Sequence, residues 1–275
     1  MPGDFDLRSV EQGVLATRFE GRIKHFATVE STNQLALYAA QAGAKWGVWI
    51  ADEQTAGRGR GGHHWHSVPG EGIYVSALVT PRVPMSHARN LPMSAGLAAQ
   101  AAVRECTGLE LDLRWPNDLM FGDRKCGGIL VESASEPAPG DWRPAFGPAL
   151  RYAVIGIGIN LNQRRFPAEL AAIATSLFLE SEREYEREPL LAALLRQLDE
   201  EVKRMRRSWL GTDNGPDLYR RFESASTWVS GKRVRVEEGG GYAGWTRGLD
   251  GEGFLRVEDD GGVVRTVLSG GVRSA

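Results

Sequence analysis

From Trp228 onward the chain can hold only short strands. KRVRVEE, GWTRGLDGEGFLRVED and GGVVRTVLSGG alternate apolar with polar residues, and the dipeptides Asp250-Gly251 and Asp260-Gly261 cut them before any reaches helical length. The stretch before it has the opposite texture. In Pro189–Leu210, residues Leu191, Leu194, Leu195, Leu198, Val202, Met205 and Trp209 fall on one face of a long helix, with Pro189 in its first turn. Mixed elements first and all-β last predict an α+β (mixed α/β) unit over residues 1–227 and a small SH3-like β-barrel over residues 228–275.

Within the first unit the periodicity predicts a helix over Thr32–Ala42, stopped by Gly43, and strands over Trp46–Gln54 and Gly72–Pro81. A long helix over Ala88–Cys106 is expected to be capped by Ser86, with Gly108 behind it. Leu111–Trp115, Lys125–Ser133 and Tyr152–Asn162 read as further strands. The proline- and glycine-rich SEPAPGDWRPAFGPA between the last two, centred on Glu136–Pro148, reads as a surface excursion.

Several classes are disfavoured by composition. The 275 residues are 42% hydrophobic and 25% charged, an ordinary globular balance. Thirty-three basic side chains against thirty-five acidic ones give a net charge of −2, without the basic excess of a duplex nucleic-acid binder. Cys106 and Cys126 have no CxxC spacing, so neither a disulfide framework nor a zinc site is suggested. The N-terminal stretch lacks a signal-peptide layout, and no apolar run approaches the ~20 residues of a membrane span. A cytoplasmic location is the expectation.

The usual nucleotide and nucleophile motifs (GxxxxGK[ST], GxGxxG after a strand, GxSxG, HExxH) are missing. Gly156-Ile157-Gly158 lies in a strand with no helix start behind it, so it is discounted as a phosphate loop. Three other segments join a strand to glycines and polar groups. They are Gln54 leading into GRGRGG, Arg114-Trp115-Pro116-Asn117-Asp118, and Lys125-Cys126-Gly127-Gly128. Glycines let backbone approach a ligand closely, and exposed N–H groups with arginines make an anion site. The combination favours an anionic or phosphorylated small ligand laid across a sheet. Of His63, His64 and His66, the last two lie two apart, but no third ligand of matching spacing is evident, and no metal ligands are assigned.

EQTAGRGRGGHHWHS, RWPNDLMFGDRKCGGILVES and VIGIGINLN, in that order, resemble the biotin–protein ligases, as do the opening Ser31-Thr32-Asn33 and the terminal β segment. The resemblance spans about residues 25–275. It implies a catalytic domain like that of the class II synthetase-like biotin and lipoate ligases. It also implies a two-step reaction, in which MgATP activates biotin to biotinyl-5′-AMP and biotin passes to a lysine of a biotin carboxyl carrier domain. By this resemblance Ser31, Thr32, Asn33, Gln54 and Gly128 surround biotin, and Arg58, Gly59 and Arg60 form the adenylate loop. Trp65, Asn117 and Asn160 would stand by the nucleotide, Ile129 and Leu130 would form an apolar floor, and Lys125, Arg60 and Asp118 would be the catalytic charges.

Three departures from the family pattern stand out. Gly61 and His63 replace basic residues, Arg114 stands where lysine is common, and Cys126-Gly127 replaces leucine-alanine and is expected to thin the pocket wall. Only about thirty residues precede Ser31, too few for a winged-helix domain, so no specific operator binding is expected. A homodimer is left open. Two rivals remain on the sequence alone. One is a lipoate or octanoate ligase on the related fold, and the other is an inactive scaffold carrying an SH3-like interaction module.

Overall fold

The computed structural model describes residues 5–137, 147–213 and 217–275. The core of the proline/glycine excursion, residues 138–146, lies outside the described residues, while its flanks are paired strand (Glu136 with Ala149). In chain order the first part runs α1 (Leu7–Gly13), β1 (Ile23–Val29), α2 (Thr32–Gln41), β2 (Gly47–Gln54), β3 (Gly72–Val79) and α3 (Leu91–Thr107). It continues with β4 (Asp112–Arg114), β5 (Asp118–Phe121), β6 (Arg124–Glu136), β7 (Ala149–Asn160), α4 (Leu177–Ser181), α5 (Arg187–Trp209) and α6 (Leu218–Ser224). The second part holds β8 (Ser230–Val236), β9 (Tyr242–Leu249), β10 (Leu255–Asp259), β11 (Val264–Val267) and β12 (Val272–Ser274). No helix among the described residues is long and apolar enough to cross a membrane.

Strands β1–β7 form one sheet in the order β1-β2-β3-β7-β6-β5-β4, antiparallel except for the parallel β1–β2 pair. Helix α2 covers one face, where Ala36 and Ala40 bury Trp49, Leu78, Tyr152 and Val154. Helices α3 and α5 close the other face over the main core, and α1 packs on α5. The expected helix cap at Ser86 does not form. Residues Met85–Asn90 make a 3₁₀ turn first, α3 starts at Leu91 behind Asn90, and Pro92 in the first helical turn needs no N–H partner. Gly108 ends α3 in the left-handed conformation, φ 74°, as expected.

The second sheet corrects the sequence reading. Its order is β11-β10-β9-β8-β12, all antiparallel, and β11 and β12 are its two edges rather than partners, so the sheet is open and the expected SH3-like barrel is not closed. The physical reason lies in the turn between those edges. The Leu268 and Ser269 N–H groups donate to the Glu238 carboxylate at 2.7 and 3.0 Å, and the Gly271 carbonyl accepts from Glu237 N at 3.1 Å. Backbone groups that a closing ladder would use are spent on the β8–β9 connection. Alternation reveals strands and their inward face, but closure depends on register and edge pairing. The two turns are read correctly: Asp250 Oδ1 accepts from Glu252 N and Phe254 N, and Asp259 Oδ1 from Gly261 N and Val263 N.

Candidate active site

Along one face of β7, Tyr152 and Val154 lie beneath α2. Two residues further along on the same face stand Gly156 and Gly158, and here the sheet opens into a cleft. Both glycines make room for a neighbouring side chain. A Cβ on Gly156 would overlap Asn33 Oδ1, and one on Gly158 would come within 2.6 Å of the Trp65 indole. In the sequence the pair shows only as glycines at i and i+2 of a strand, a pattern that does not by itself reveal which side chains need the space.

Ser31, Thr32, Asn33, Gln54, Arg58, Gly59, Arg60, Trp65, Asn117, Lys125, Gly128, Ile129 and Leu130 all line this one cleft, with Val75 and Ile157 as wall residues that the sequence reading did not pick out. Ser31 stands at the N-cap of α2 but makes no side-chain capping bond; Thr32 N instead donates to Gln54 Oε1 at 2.9 Å. The glycine loop is a small ordered hairpin. Trp65 N donates to Gly57 O at 2.9 Å and Gly59 N to His63 O at 2.7 Å, with Gly61 and Gly62 at φ 70° and 80° turning it. Arg58 and Arg60 are exposed and make no ion pair among the described residues, so their charge is open to an anion. Arg60 lies against Gly270 of the β11–β12 turn, whose Cβ, if present, would be 2.7 Å from Nη1.

RWPND folds as the tight β4–β5 hairpin, with Arg114 and Asp118 as cross-strand partners and Trp115–Pro116 cis. That pairing puts the Arg114 guanidinium on Asp118 Oδ2 at 3.1 Å (Nε) and 2.7 Å (Nη2). Lys125 Nζ takes the other oxygen at 2.5 Å. Burial alone would raise the Asp118 carboxyl, but the charges of Lys125 and Arg114 outweigh it and hold it below the usual carboxylate range. Asp118 therefore stays ionised and fixes the Lys125 ammonium at the cleft mouth, 5.9 Å from the Trp65 ring centroid.

Lys125 reaches the cleft through an irregularity. The β5–β6 register steps from Met120–Lys125 to Leu119–Gly127, a bulge at Cys126. In a regular strand, residues 125 and 128 would face opposite sides; the extra residue puts both on the cleft side, with Lys125 Nζ 3.2 Å from where a Gly128 Cβ would be. Cys126 turns into the main core instead, donates to Asn160 O at 3.4 Å, and has its thiol pKa pushed up by burial. Neither Cys126 nor Gly127 lines the cleft, so this departure does not thin its wall.

Asp118 and Asn160 are the named residues that do not line the cleft. Asp118 acts from behind Lys125, and Asn160 is buried with Nδ2 bound to Thr175 O at 2.9 Å. Asn117 does line it, and also brackets β6 by donating to Ile129 O and accepting from Ile129 N, both at 2.9 Å. Among the described residues no three His, Cys, Asp or Glu side chains converge as a metal site, and both Asp118 oxygens are taken. The described residues build no magnesium cage.

Comparison with known proteins finds relatives that span most of the chain. The model of the biotin/lipoate A/B protein ligase family matches residues 25–139, and the biotin protein ligase C-terminal domain model matches residues 229–272. The biotin–[acetyl-CoA-carboxylase] ligase of Mycobacterium tuberculosis is 32% identical over 90% of this chain and 86% of its own length. The bifunctional ligase/repressor BirA of Bacillus subtilis is 29% identical over 95% of this chain and 77% of its length. The Aquifex aeolicus biotin protein ligase, solved with biotin and ATP, superposes with a TM-score of 0.73 at 27% identity, covering 93% of this chain and all of that one. The chain thus belongs to the biotin–protein ligases.

Proposed function

We propose that this cleft brings a biotin carboxylate to the α-phosphorus of ATP under the charge of Lys125. The ligase reaction of the family runs in two steps. A carboxylate oxygen of biotin forms a bond to Pα as the bond from Pα to the bridging oxygen of the β-phosphate breaks, giving biotinyl-5′-AMP and pyrophosphate. The neutral amine of a carrier lysine then attacks the acyl carbon, and AMP leaves.

The observation that carries the reading is the position of the Lys125 ammonium. It is pinned by Asp118 on the cleft lining, beside Gly128 and with the Trp65 ring centroid 5.9 Å away, in the same cleft as Thr32, Asn33, Arg58 and Arg60. Two anions must meet there, and a preorganised cation offsets their repulsion and the charge that develops on phosphoryl oxygens. Ser31, Thr32, Asn33 and Gln54 receive the biotin head, Gly128 leaves room beside it, and Ile129 and Leu130 supply apolar floor. Arg58, Gly59 and Arg60 take the adenylate from the loop side, with Trp65 and Asn117 at its base. For Asn160 the nucleotide role rests on the resemblance alone, since its amide is engaged behind the sheet. Magnesium arrives with the nucleotide as a largely water-ligated ion, and no step is assigned to a protein-held metal.

The partner is a biotin carboxyl carrier domain presenting one lysine, and the division into residues 1–227 and 228–275 is supported by the separate matches to 25–139 and 229–272. The test is the mass of a purified carrier domain incubated with the protein, ATP and either biotin, lipoate or octanoate. A biotinyl adduct on one lysine is expected; an adduct from lipoate or octanoate alone would assign the pocket to the related ligases.

A further inference from the structure

Beneath the biotin end of the cleft lies a hydrogen-bond chain whose donors and acceptors are ordered from its far end. Asn33 Nδ2 donates to Glu132 Oε2 at 2.8 Å, and Ser76 Oγ donates to Asn33 Oδ1 at 2.6 Å. Thr32 Oγ1 lies 2.7 Å from Ser76 Oγ. Thr32, Asn33 and Ser76 are only 3%, 7% and 0% exposed, so bulk water does not take up these hydroxyl protons. Of the four residues only Thr32 and Asn33 line the cleft.

The direction of the chain follows from its far end. An ionised carboxylate can only accept, so Glu132 obliges Asn33 to turn its NH₂ outward and its carbonyl oxygen toward Ser76. That oxygen can only accept, which commits the single Ser76 proton to it. Ser76 is then an acceptor for Thr32, whose one proton goes inward to Ser76 Oγ, or to Gln54 Oε1 at 3.1 Å. In either case Thr32 Oγ1 presents only lone pairs to the cleft. We infer that Glu132, through Asn33 and Ser76, is a positioning residue that makes Thr32 an obligate acceptor, so that this end of the site selects a substrate head group bearing N–H donors.

The inference rests on the biotin reading and deepens it. The ureido ring of biotin carries two N–H groups, whereas the aliphatic chain of octanoate and the dithiolane of lipoate carry none. A site built to pair with a polar group rejects an isostere lacking that group far more strongly than an apolar pocket rejects an extra methylene. The unpaired acceptor would otherwise be left desolvated.

The experiment uses the whole chain and compares biotin with two cyclic carbamate analogues, each replacing one ureido N–H by oxygen, in analogue-dependent exchange of pyrophosphate into ATP. The wild type is expected to prefer biotin over one analogue by about a hundredfold or more in kcat/KM, within the reach of a hydrogen-bonding site. Ser76→Ala leaves the Thr32 hydroxyl only the longer 3.1 Å contact to Gln54 Oε1, an oxygen that already accepts from Thr32 N, so the hydroxyl gains freedom to turn. KM for biotin should then rise about tenfold with kcat within about twofold, and the preference should shrink to about tenfold or less. Glu132→Leu lets the Asn33 amide flip and should shrink the preference likewise.

A folded Ser76→Ala enzyme that keeps the full preference, or loses biotin and analogue in equal measure, overturns the inference. Should Ser76→Ala not fold, Glu132→Leu at its half-buried position decides the question by the same ratio. Absence of exchange with biotin in the wild type overturns the biotin reading itself, a result distinct from an unchanged ratio in the variants.

Discussion

At the scale of single residues the site is organised around Asp118, a half-buried carboxylate that does not line the cleft yet fixes the cation that does. Its carboxyl is held below its ordinary range, so its contribution to stability is present above the unfolded-state value and is lost as pH falls through the lower folded value. The window therefore lies in acid, below about pH 4. Asp118→Asn should be clearly less stable than the wild type near neutral pH, and denaturant titrations should show the gap closing as pH drops below about 4. Equal gaps across the range would remove the ion-pair cluster from the account. Gly158 makes a steric prediction at the same scale. Alanine there puts a methyl group 2.6 Å from the Trp65 indole, so Gly158→Ala should shift the tryptophan emission and weaken biotin binding while costing about 1–3 kcal/mol in stability. An unperturbed emission with unchanged affinity would contradict the packing described.

At the scale of elements the decisive features are the bulge in β6 and the hairpin of the glycine loop. The loop carries Arg58 and Arg60 without ion-pair partners among the described residues and lines a cleft that must keep a reactive anhydride from water, which makes it the lid of the site in this account. Arg60→Gly should let the adenylate escape, and mass spectrometry should find bystander lysines labelled beside the carrier lysine. Strict carrier labelling in that variant would contradict the lid role. What the sequence disclosed divides along the same elements. Helices α2 and α5 were legible because amphipathic periods survive context, and Arg58, Gly59 and Arg60 of GRGRGG share one cleft with Asn117 of RWPND. The route by which Lys125 joins Gly128 was not legible, because a bulge breaks the period of two on which strand reading depends. Nor were α1, α4, α6 and β1, since five to seven residues carry too little periodicity to stand out. Ser76 and Glu132 escaped notice because their role exists only when β3, β6 and α2 meet.

At the scale of the whole molecule the open second sheet is tied into the site rather than appended to it. Trp228 is buried with the Arg114 guanidinium 5.2 Å and the Lys232 ammonium 4.5 Å from its ring centroid, so the residue that opens the second part supports the arginine gripping Asp118. Trp115 Nε1 donates to Gly253 O at 3.0 Å, and one hydrophobic core runs through both parts. Here too the strands and turns were legible and the closure was not, because edge pairing is a property of the assembled sheet. Trp228→Ala should cost about 3–5 kcal/mol and depress the first half-reaction as well, read by chemical denaturation and exchange kinetics; full activity at reduced stability would make the second sheet a mere support. The central claim is that this cleft activates biotin under the charge of Lys125, and the most direct measurement is biotin-dependent exchange of pyrophosphate into ATP by the wild type and Lys125→Ala, with lipoate and octanoate in parallel. The account predicts exchange with biotin alone and a fall of about 10²–10³ in the folded variant. Exchange that persists unchanged in Lys125→Ala, or that requires lipoate or octanoate instead of biotin, would contradict it.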